Sequence, residues 1–213
     1  MITLKSMLLY SMFFMIFLFN SCIPGIMPVS GHINSARNGN TGINVSGALI
    51  GDKDDFQKND TEVISSSLSL WKKSDKNTTY EFYFLGARRT DEIYQNGLLY
   101  LDIFTSVYYT APTLGGNLGF TTGLNFKYTD IYASLTADGL MYVPVLGDED
   151  NEEIIFYSHL RPAMGITFNF DKISLFMEGS FIANPKTYKG DDDYIKDEFK
   201  DKYMIYLGIL YSL

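Results

Sequence analysis

The sequence predicts an all-β protein that folds as an up-and-down antiparallel β-barrel. Three observations predict this fold class: the composition, a period-two alternation of apolar and polar residues, and the lengths of the connections between alternating segments. The 213 residues include 16 Tyr, 16 Phe and 18 Gly but only one Trp. Aromatic residues favour strands, and few stretches of this chain have a helical pattern.

The alternation is clearest over residues 117–128. One face carries Leu118, Phe120, Thr122, Leu124, Phe126 and Tyr128, and the other carries Asn117, Gly119, Thr121, Gly123, Asn125 and Lys127. Strands of soluble proteins usually have five or six residues, whereas a tilted strand that crosses a bilayer needs about nine to eleven. This segment is therefore long enough to cross a membrane. Phe120, Leu124 and Phe126 are predicted to face lipid, with Gly119, Gly123 and Asn125 on the lumen side.

Nine segments show a strand pattern. They are 42–51, 62–72, 79–88, 98–110, 117–128, 131–145, 155–170, 173–183 and 202–213. Bacterial single-chain barrels have even strand numbers. Either one of the nine is not a strand, which gives eight, or residues 29–36 add a strand across an Asn-Gly turn, which gives ten. We expect about eight strands, and ten stay open.

The connections alternate in length. Thr129-Asp130 and Asp171-Lys172 are two-residue turns, whereas 147–153 and 184–201 are longer and strongly charged. Short turns at one end of a barrel and longer polar loops at the other are typical of barrels that cross an outer membrane. The two charged loops are therefore expected outside the cell, where an external protein or ligand would meet them.

The first residues have the pattern of an export signal. Lys5 is the only charged residue in the first 36, and an uncharged apolar run follows it over residues 7–19. About thirteen apolar residues suit the core of a signal peptide and are too few to cross a bilayer as a helix. Pro24 and Gly25 follow the run and break any helix. Residues 1–21 are thus predicted to be a signal peptide.

Cys22 is the only cysteine of the chain. The stretch Phe19-Asn20-Ser21-Cys22 resembles the lipobox of bacterial lipoproteins in the loose form of spirochaete-type leaders, with Phe19 where Leu is usual and Asn20 where a smaller residue is usual. The resemblance implies lipid attachment at Cys22, a lipid-anchored spacer over residues 22–41 and a barrel domain over 42–213. The alternative is a stray cysteine in a discarded leader.

The last strand carries a second resemblance. One of its faces contains Tyr203, Ile205, Leu207, Ile209, Tyr211 and Leu213, with aliphatic residues in the middle and tyrosines near the ends. It resembles the C-terminal signature of bacterial outer-membrane β-barrels, with Leu213 in the place of the usual Phe. Residues 42–213 are similar in pattern to the small barrels of that family. The resemblance implies a bacterial outer-membrane location, with membrane lipid as a partner.

The polar faces of the strands carry charged residues at mid-strand positions. Since an isolated charge in a narrow lumen is costly, these residues are predicted to form a network of paired charges. Its members are Glu81, Asp102, Lys127, Arg161 and Glu178. A lumen filled by side chains predicts a structural or surface-interaction role and excludes an open porin.

Two other functions stay open. In a soluble barrel the apolar faces would point inward, and the protein would then be a lipid-tethered, lipocalin-like carrier of an apolar ligand. A more distant alternative is a lipid-modifying hydrolase with His159 as its base, although the adjacent Ser158 must point to the opposite face. We expect no enzyme, no cofactor and no metal site. The formal net charge of −8 argues against nucleic acid as a partner.

Overall fold

The computed structural model describes residues 39–51, 62–74, 77–83, 86–110, 113–142, 155–187 and 202–213. These residues form eleven strands: β1 (Thr41–Gly51), β2 (Glu62–Lys73), β3 (Thr78–Tyr83), β4 (Gly86–Gln95), β5 (Leu99–Thr110), β6 (Thr113–Asn125), β7 (Thr129–Tyr142), β8 (Ile155–Phe170), β9 (Ile173–Phe181), β10 (Ala183–Thr187) and β11 (Tyr203–Ser212). Within the described ranges, no helix is long and apolar enough to cross a membrane.

Ten of the strands close into a barrel. Each strand from β1 to β8 pairs antiparallel with the next strand, β9 pairs with β11, and β11 pairs with β1. The short strand β10 pairs with β8 near Ser158, beyond the part of β8 that pairs with β9, so β10 continues the line of β9 after a break at Ile182. The predicted all-β, up-and-down antiparallel barrel is confirmed, and ten strands close it.

The tenth strand of the barrel comes from the β3–β4 hairpin, which the alternation of the sequence does not reveal. Residues 79–88 were predicted as one strand, but β3 ends at Tyr83 and β4 begins at Gly86. Only two residues separate the strands, so the alternating pattern continues almost without interruption. The segment 29–36, considered above as the extra strand, lies outside the described residues.

One of the two predicted short turns is also displaced. Asp171 and Lys172 form a turn, as predicted, and Asp171 has a positive φ of 24°. Thr129 and Asp130 instead belong to β7, and the turn before it consists of residues 126–128. The amide of Phe126 donates to the carbonyl of Thr129 at 2.8 Å and closes this turn.

The two ends of the barrel differ. The connections between β2 and β3, β4 and β5, β6 and β7, and β8 and β9 all join strand ends at the end where β1 begins and β11 ends, which we call the turn end. The segments 52–61, 143–154 and 188–201 leave the strands at the opposite end, which we call the loop end, and lie outside the described residues. The predicted loop 147–153 and most of 184–201 fall in them. Residues 184–187 belong to β10.

Apolar side chains cover the outer wall. Phe120 and Leu124 are 45% and 39% exposed, whereas Gly119 and Gly123 on the opposite face of β6 are buried. The predicted faces of this strand are thus confirmed for these four residues. Large exposed side chains elsewhere on the wall include Val45, Leu70, Ile103, Val107, Leu118, Met164, Met177, Leu207 and Ile209. The exterior is apolar, whereas the interior holds many polar and charged side chains beside an apolar cluster that includes Ile50, Phe176, Met204 and Leu210. An apolar outer wall around buried charges is the reverse of a soluble barrel.

Exposed aromatic residues are present near both ends of the wall. Tyr94, Tyr128, Phe170 and Tyr211 lie near the turn end, and Phe82, Tyr109, Phe156, Phe181 and Tyr203 lie near the loop end. The exposed side chains between the two sets are mostly aliphatic, with Phe120 among them. An apolar band between two aromatic girdles is the usual exterior of a transmembrane barrel.

Inside the barrel, large aromatic side chains lie opposite glycines of the neighbouring strand. The paired residues are Trp71 with Gly42, Tyr100 with Gly123, Phe104 with Gly119, Tyr108 with Gly115, Tyr132 with Gly165 and Phe176 with Gly208. A Cβ atom on any of these glycines would come within 3 Å of its aromatic partner. The glycines therefore make the room that a narrow lumen needs for rings.

Candidate functional site

A belt of buried side chains runs along the inner wall from β2 to β8. Each member pairs through its Cα with the member on the next strand, so the belt follows one row of the sheet. We call this row the lumen belt. It consists of Trp71, Glu81, Arg88, Ser106, Asn117, Asp138 and His159, all of them buried.

Glu81 and Arg88 form the first charged pair of the belt. The Arg88 Nη1 atom lies 3.7 Å from Oε2 of Glu81. Glu81 also accepts hydrogen bonds from Asn44, at 3.2 Å, and from the hydroxyl groups of Ser69 and Tyr83. Because Glu81 has both a cation and several donors, its buried charge is well compensated.

Aromatic rings hold the other side of Arg88. Its guanidinium carbon lies 5.6 Å from the ring centroid of Tyr83 and 5.5 Å from that of Phe104. Both distances are within the range in which a cation is attracted to an aromatic face. Arg88 is thus held between a carboxylate and two rings inside the barrel.

The second charged pair of the interior joins the neighbouring strands β7 and β8. Arg161 on β8 donates from Nε to Oδ2 of Asp138 on β7 at 3.2 Å, and from Nη2 to Oδ1 at 3.4 Å. Nε2 of His159 lies 3.4 Å from the same Oδ2 atom. A two-point contact of this kind fixes the guanidinium plane as well as its position.

Like the Asn44–Glu81 bond between β1 and β3, two further hydrogen bonds reach past one intervening strand. Arg161 donates from Nη1 to the hydroxyl of Tyr206 on β11 at 3.4 Å, past β9. The Tyr132 hydroxyl on β7 donates to Glu178 on β9 at 3.1 Å, past β8. Gly165 of β8 lies between Tyr132 and Glu178 and is the Cα partner of both. These bonds place polar side chains across the interior.

Four of the five residues predicted for the charge network face inward. Glu81, Asp102, Arg161 and Glu178 are buried. Lys127 lies elsewhere: β6 ends at Asn125, so Lys127 belongs to the exposed turn at the turn end, with Nζ 4.8 Å from the ring centroid of Tyr128. The alternation of a strand no longer determines the direction of a side chain beyond the strand end. The joint action of the four buried residues as one network stays a prediction.

Sequence reasoning missed Arg88 and Asp138. Arg88 lies just after the hidden hairpin, in a segment that was interpreted as a single strand. Asp138 shares its alternation parity with the polar residues Ser134 and Thr136 of the segment 131–145, so a signal for Asp138 existed. Cys22, the predicted lipid attachment residue, lies outside the described residues.

The described residues lack the usual arrangement of a hydrolase. His159 faces the lumen and is buried, and Ser158 lies on the opposite face of β8, as the alternation predicted. Within the described ranges, no three His, Cys, Asp or Glu residues are grouped to hold a metal ion. The geometry pairs buried charges between neighbouring strands of the inner wall.

Fold and site together define a closed ten-stranded antiparallel barrel with an apolar exterior and a polar, side-chain-filled interior. No protein-family model matches the chain, and no curated protein matches it. Similar solved structures are outer-membrane barrels of bacteria. Neisserial surface protein A is 11% identical, with 81% of this chain and 96% of that chain covered and a TM-score of 0.36.

Two further structures are similar at the same level. Ail, the attachment invasion locus protein of Yersinia pestis, is 10% identical, covers 82% of this chain and 98% of its own, and has a TM-score of 0.33. The porin NanC is 7% identical, covers 80% of this chain and 100% of its own, and has a TM-score of 0.37. Sequence identities and TM-scores this low assign no role to the chain.

Gly165 allows a direct test of the interior packing. A Cβ atom at this position would lie 2.2 Å from the Tyr132 ring, so Gly165→Ala should displace the ring and weaken its bond to Glu178. Overpacking of this kind costs about 1–3 kcal/mol. Urea unfolding of the barrel in detergent, followed by the fluorescence of Trp71, measures the loss.

Gly179 is the matched control. It also lies mid-strand, but a Cβ atom there would have no neighbour within 4 Å. Gly179→Ala should therefore leave the unfolding midpoint near that of the wild type. Equal midpoints for the two variants would show that the Tyr132 ring does not need the space above Gly165.

Proposed function

We propose that this protein is an integral β-barrel of the bacterial outer membrane. The observation that carries the proposal is the inversion of the two faces: bulky apolar side chains cover the outer wall, while Glu81, Arg88, Asp138, Arg161 and Glu178 are buried inside. In water, an exterior of this kind would expose a continuous apolar surface far beyond what soluble monomers show. In a bilayer the same surface is favourable.

The inversion weighs against the alternative of a lipid-tethered soluble carrier. A lipocalin-like barrel would bind its apolar ligand in an apolar interior. Here the inward positions of β5 to β8 carry Asp102, Thr121, Ser134 and Arg161 alongside a few rings. An apolar ligand would find few apolar contacts there, and the paired charges would lose their partners.

We propose a structural or surface-interaction role and no open pore. The buried side chains of the lumen belt and the hydrogen bonds between strands two apart occupy the interior at several levels. The two-point contact between Arg161 and Asp138 fixes the guanidinium inside the barrel. The chain segments that leave the loop end are then the surfaces available to an external protein or ligand. A role as an enzyme finds no support in the described residues.

Lipid contact of the outer wall tests the membrane proposal. In a Cys22→Ser background, single cysteines at Phe120, Leu124, Thr121 and Asn125 receive a nitroxide spin label, and the barrel is reconstituted in phospholipid vesicles. Labels at 120 and 124 should collide with oxygen dissolved among the acyl chains, and labels at 121 and 125 should not. The physical reason is the alternation of β6, which places the two pairs on opposite faces. If neither pair reports lipid, the membrane barrel is wrong.

Orientation is the second expectation. An even number of strands places the first and last strand ends together at the turn end, and the long segments 143–154 and 188–201 at the loop end. We expect the loop end to face the exterior of the cell. Protease added to intact cells should cut first within 143–154 or 188–201. Cleavage that requires permeabilised cells would reverse the topology.

Lipid attachment at Cys22 is the third expectation. The barrel begins at the turn end, so an anchor some twenty residues before Thr41 would enter the leaflet on that side. Radioactive fatty acid should label the wild type and leave Cys22→Ser unlabelled. The matched control is Ser21→Ala, which keeps the cysteine and should keep the label. Equal labelling of wild type and Cys22→Ser would exclude the anchor.

A further inference from the structure

The outer wall carries an ion pair on β4 that departs from its apolar character. Arg89 and Asp91 point outward, and their side chains are 52% and 31% exposed. Nε of Arg89 lies 2.8 Å from Oδ2 of Asp91, and Nη2 donates to Oδ1 at 3.1 Å. The Thr78 hydroxyl on β3 donates to Oδ1 as well, at 2.9 Å. A charged group on a lipid-facing surface is costly unless it reaches a polar partner.

The ion pair turns the arginine towards the turn end. β4 runs from the loop end to the turn end, so Asp91 lies two residues nearer the turn end than Arg89. Because the guanidinium contacts Asp91, the arginine side chain extends along the strand in that direction. Long cationic side chains at the edge of a membrane extend in this way to place the charge among lipid headgroups.

A second cation lies in the same row of the sheet. Lys72 on β2 is the Cα partner of Tyr80 on β3, and Tyr80 is the Cα partner of Arg89. Adjacent strands lie about 4.8 Å apart, so the backbones at Lys72 and Arg89 are separated by roughly 10 Å. Lys72 is exposed, and Tyr80 is partly exposed between the two cations. We call these three residues the cationic patch.

An aromatic surface continues from the patch into the apolar band. Phe82 lies two residues beyond Tyr80 towards the loop end and is exposed on the outer wall. The rings of Tyr80 and Phe82 are stacked, with centroids 6.5 Å apart and planes 20° from parallel. Along the outer wall, the row of Lys72, Tyr80 and Arg89 therefore lies nearer the turn end, and Phe82 lies next towards the loop end.

We propose that the cationic patch binds the phosphate of a phospholipid in the leaflet at the turn end, with an acyl chain lying along Tyr80 and Phe82. The proposal rests on the membrane location proposed above. Arginine and lysine complement a phosphate in charge, and the tyrosine hydroxyl adds a donor at the same level. The chain as a whole is acidic, with a net charge of −8. Here two outward cations share one row, so the group keeps a net positive charge even with Asp91 paired to Arg89.

Native mass spectrometry of the purified barrel, titrated in detergent with phosphatidylglycerol, tests the proposal. The wild type should retain one phosphatidylglycerol molecule more tightly than the rest. Loss of one charged contact typically weakens binding about tenfold, so Lys72→Gln and Arg89→Gln should each show a loss of that order, and the double variant should bind no lipid specifically. Lys72→Gln leaves the Arg89–Asp91 pair intact, so this variant still tests lipid binding if Arg89→Gln folds poorly.

Lys127→Gln is the matched control. Lys127 is also an exposed lysine at the turn end beside a tyrosine, but it lies between β6 and β7, away from the patch. Its variant should retain the lipid as the wild type does. Unchanged retention in Lys72→Gln, or an equal loss in Lys127→Gln, would overturn the site while the barrel stays folded. The shift in gel mobility on boiling reports folding separately: a wild type without this shift would refute the membrane barrel itself.

Discussion

Closure of the sheet by β1 and β11 is the constraint on which the rest of the structure depends. Residues from Gly42 to Gly51 pair in register with residues from Tyr203 to Ser212, and the Leu213 amide donates to the carbonyl of Thr41. In hydrocarbon an unpaired strand edge would leave a row of backbone groups without partners, at a cost of several kcal/mol for each group. The first and last strands therefore have to meet, although about 150 residues separate them.

Closure creates a narrow interior that side chains must fill. Several rings lie opposite a glycine of the neighbouring strand, as Phe104 lies opposite Gly119. Charges enter in compensated groups: Glu81 with Arg88, and Asp138 with Arg161. Separating a buried ion pair would leave each charge uncompensated, so a rearrangement that opens the interior is costly. With a filled interior, the recognition that we propose would take place at the barrel ends and on the outer wall, where the cationic patch lies.

The predicted and observed folds differ where the alternation of residues does not show that a strand has ended. The hairpin after Tyr83 was hidden because two residues interrupt the alternation too briefly. Nine segments were therefore counted and about eight strands expected, whereas ten close the barrel. Lys127 was assigned to the lumen by its parity with Asn125, but the strand had already ended. Conversely, the two faces of β6 were predictable residue by residue, since a period of two is a property of the strand itself.

By itself the sequence determined the all-β class, the two faces of each long strand and the alternation of short and long connections. These properties are local, because side-chain direction in a strand repeats every two residues. Only the tertiary structure decided which face is the interior and which charges meet. Arg161 reaches Asp138, 23 residues away, and Tyr206, 45 residues away. Such contacts depend on strand register and barrel closure, which the alternation within one strand does not encode.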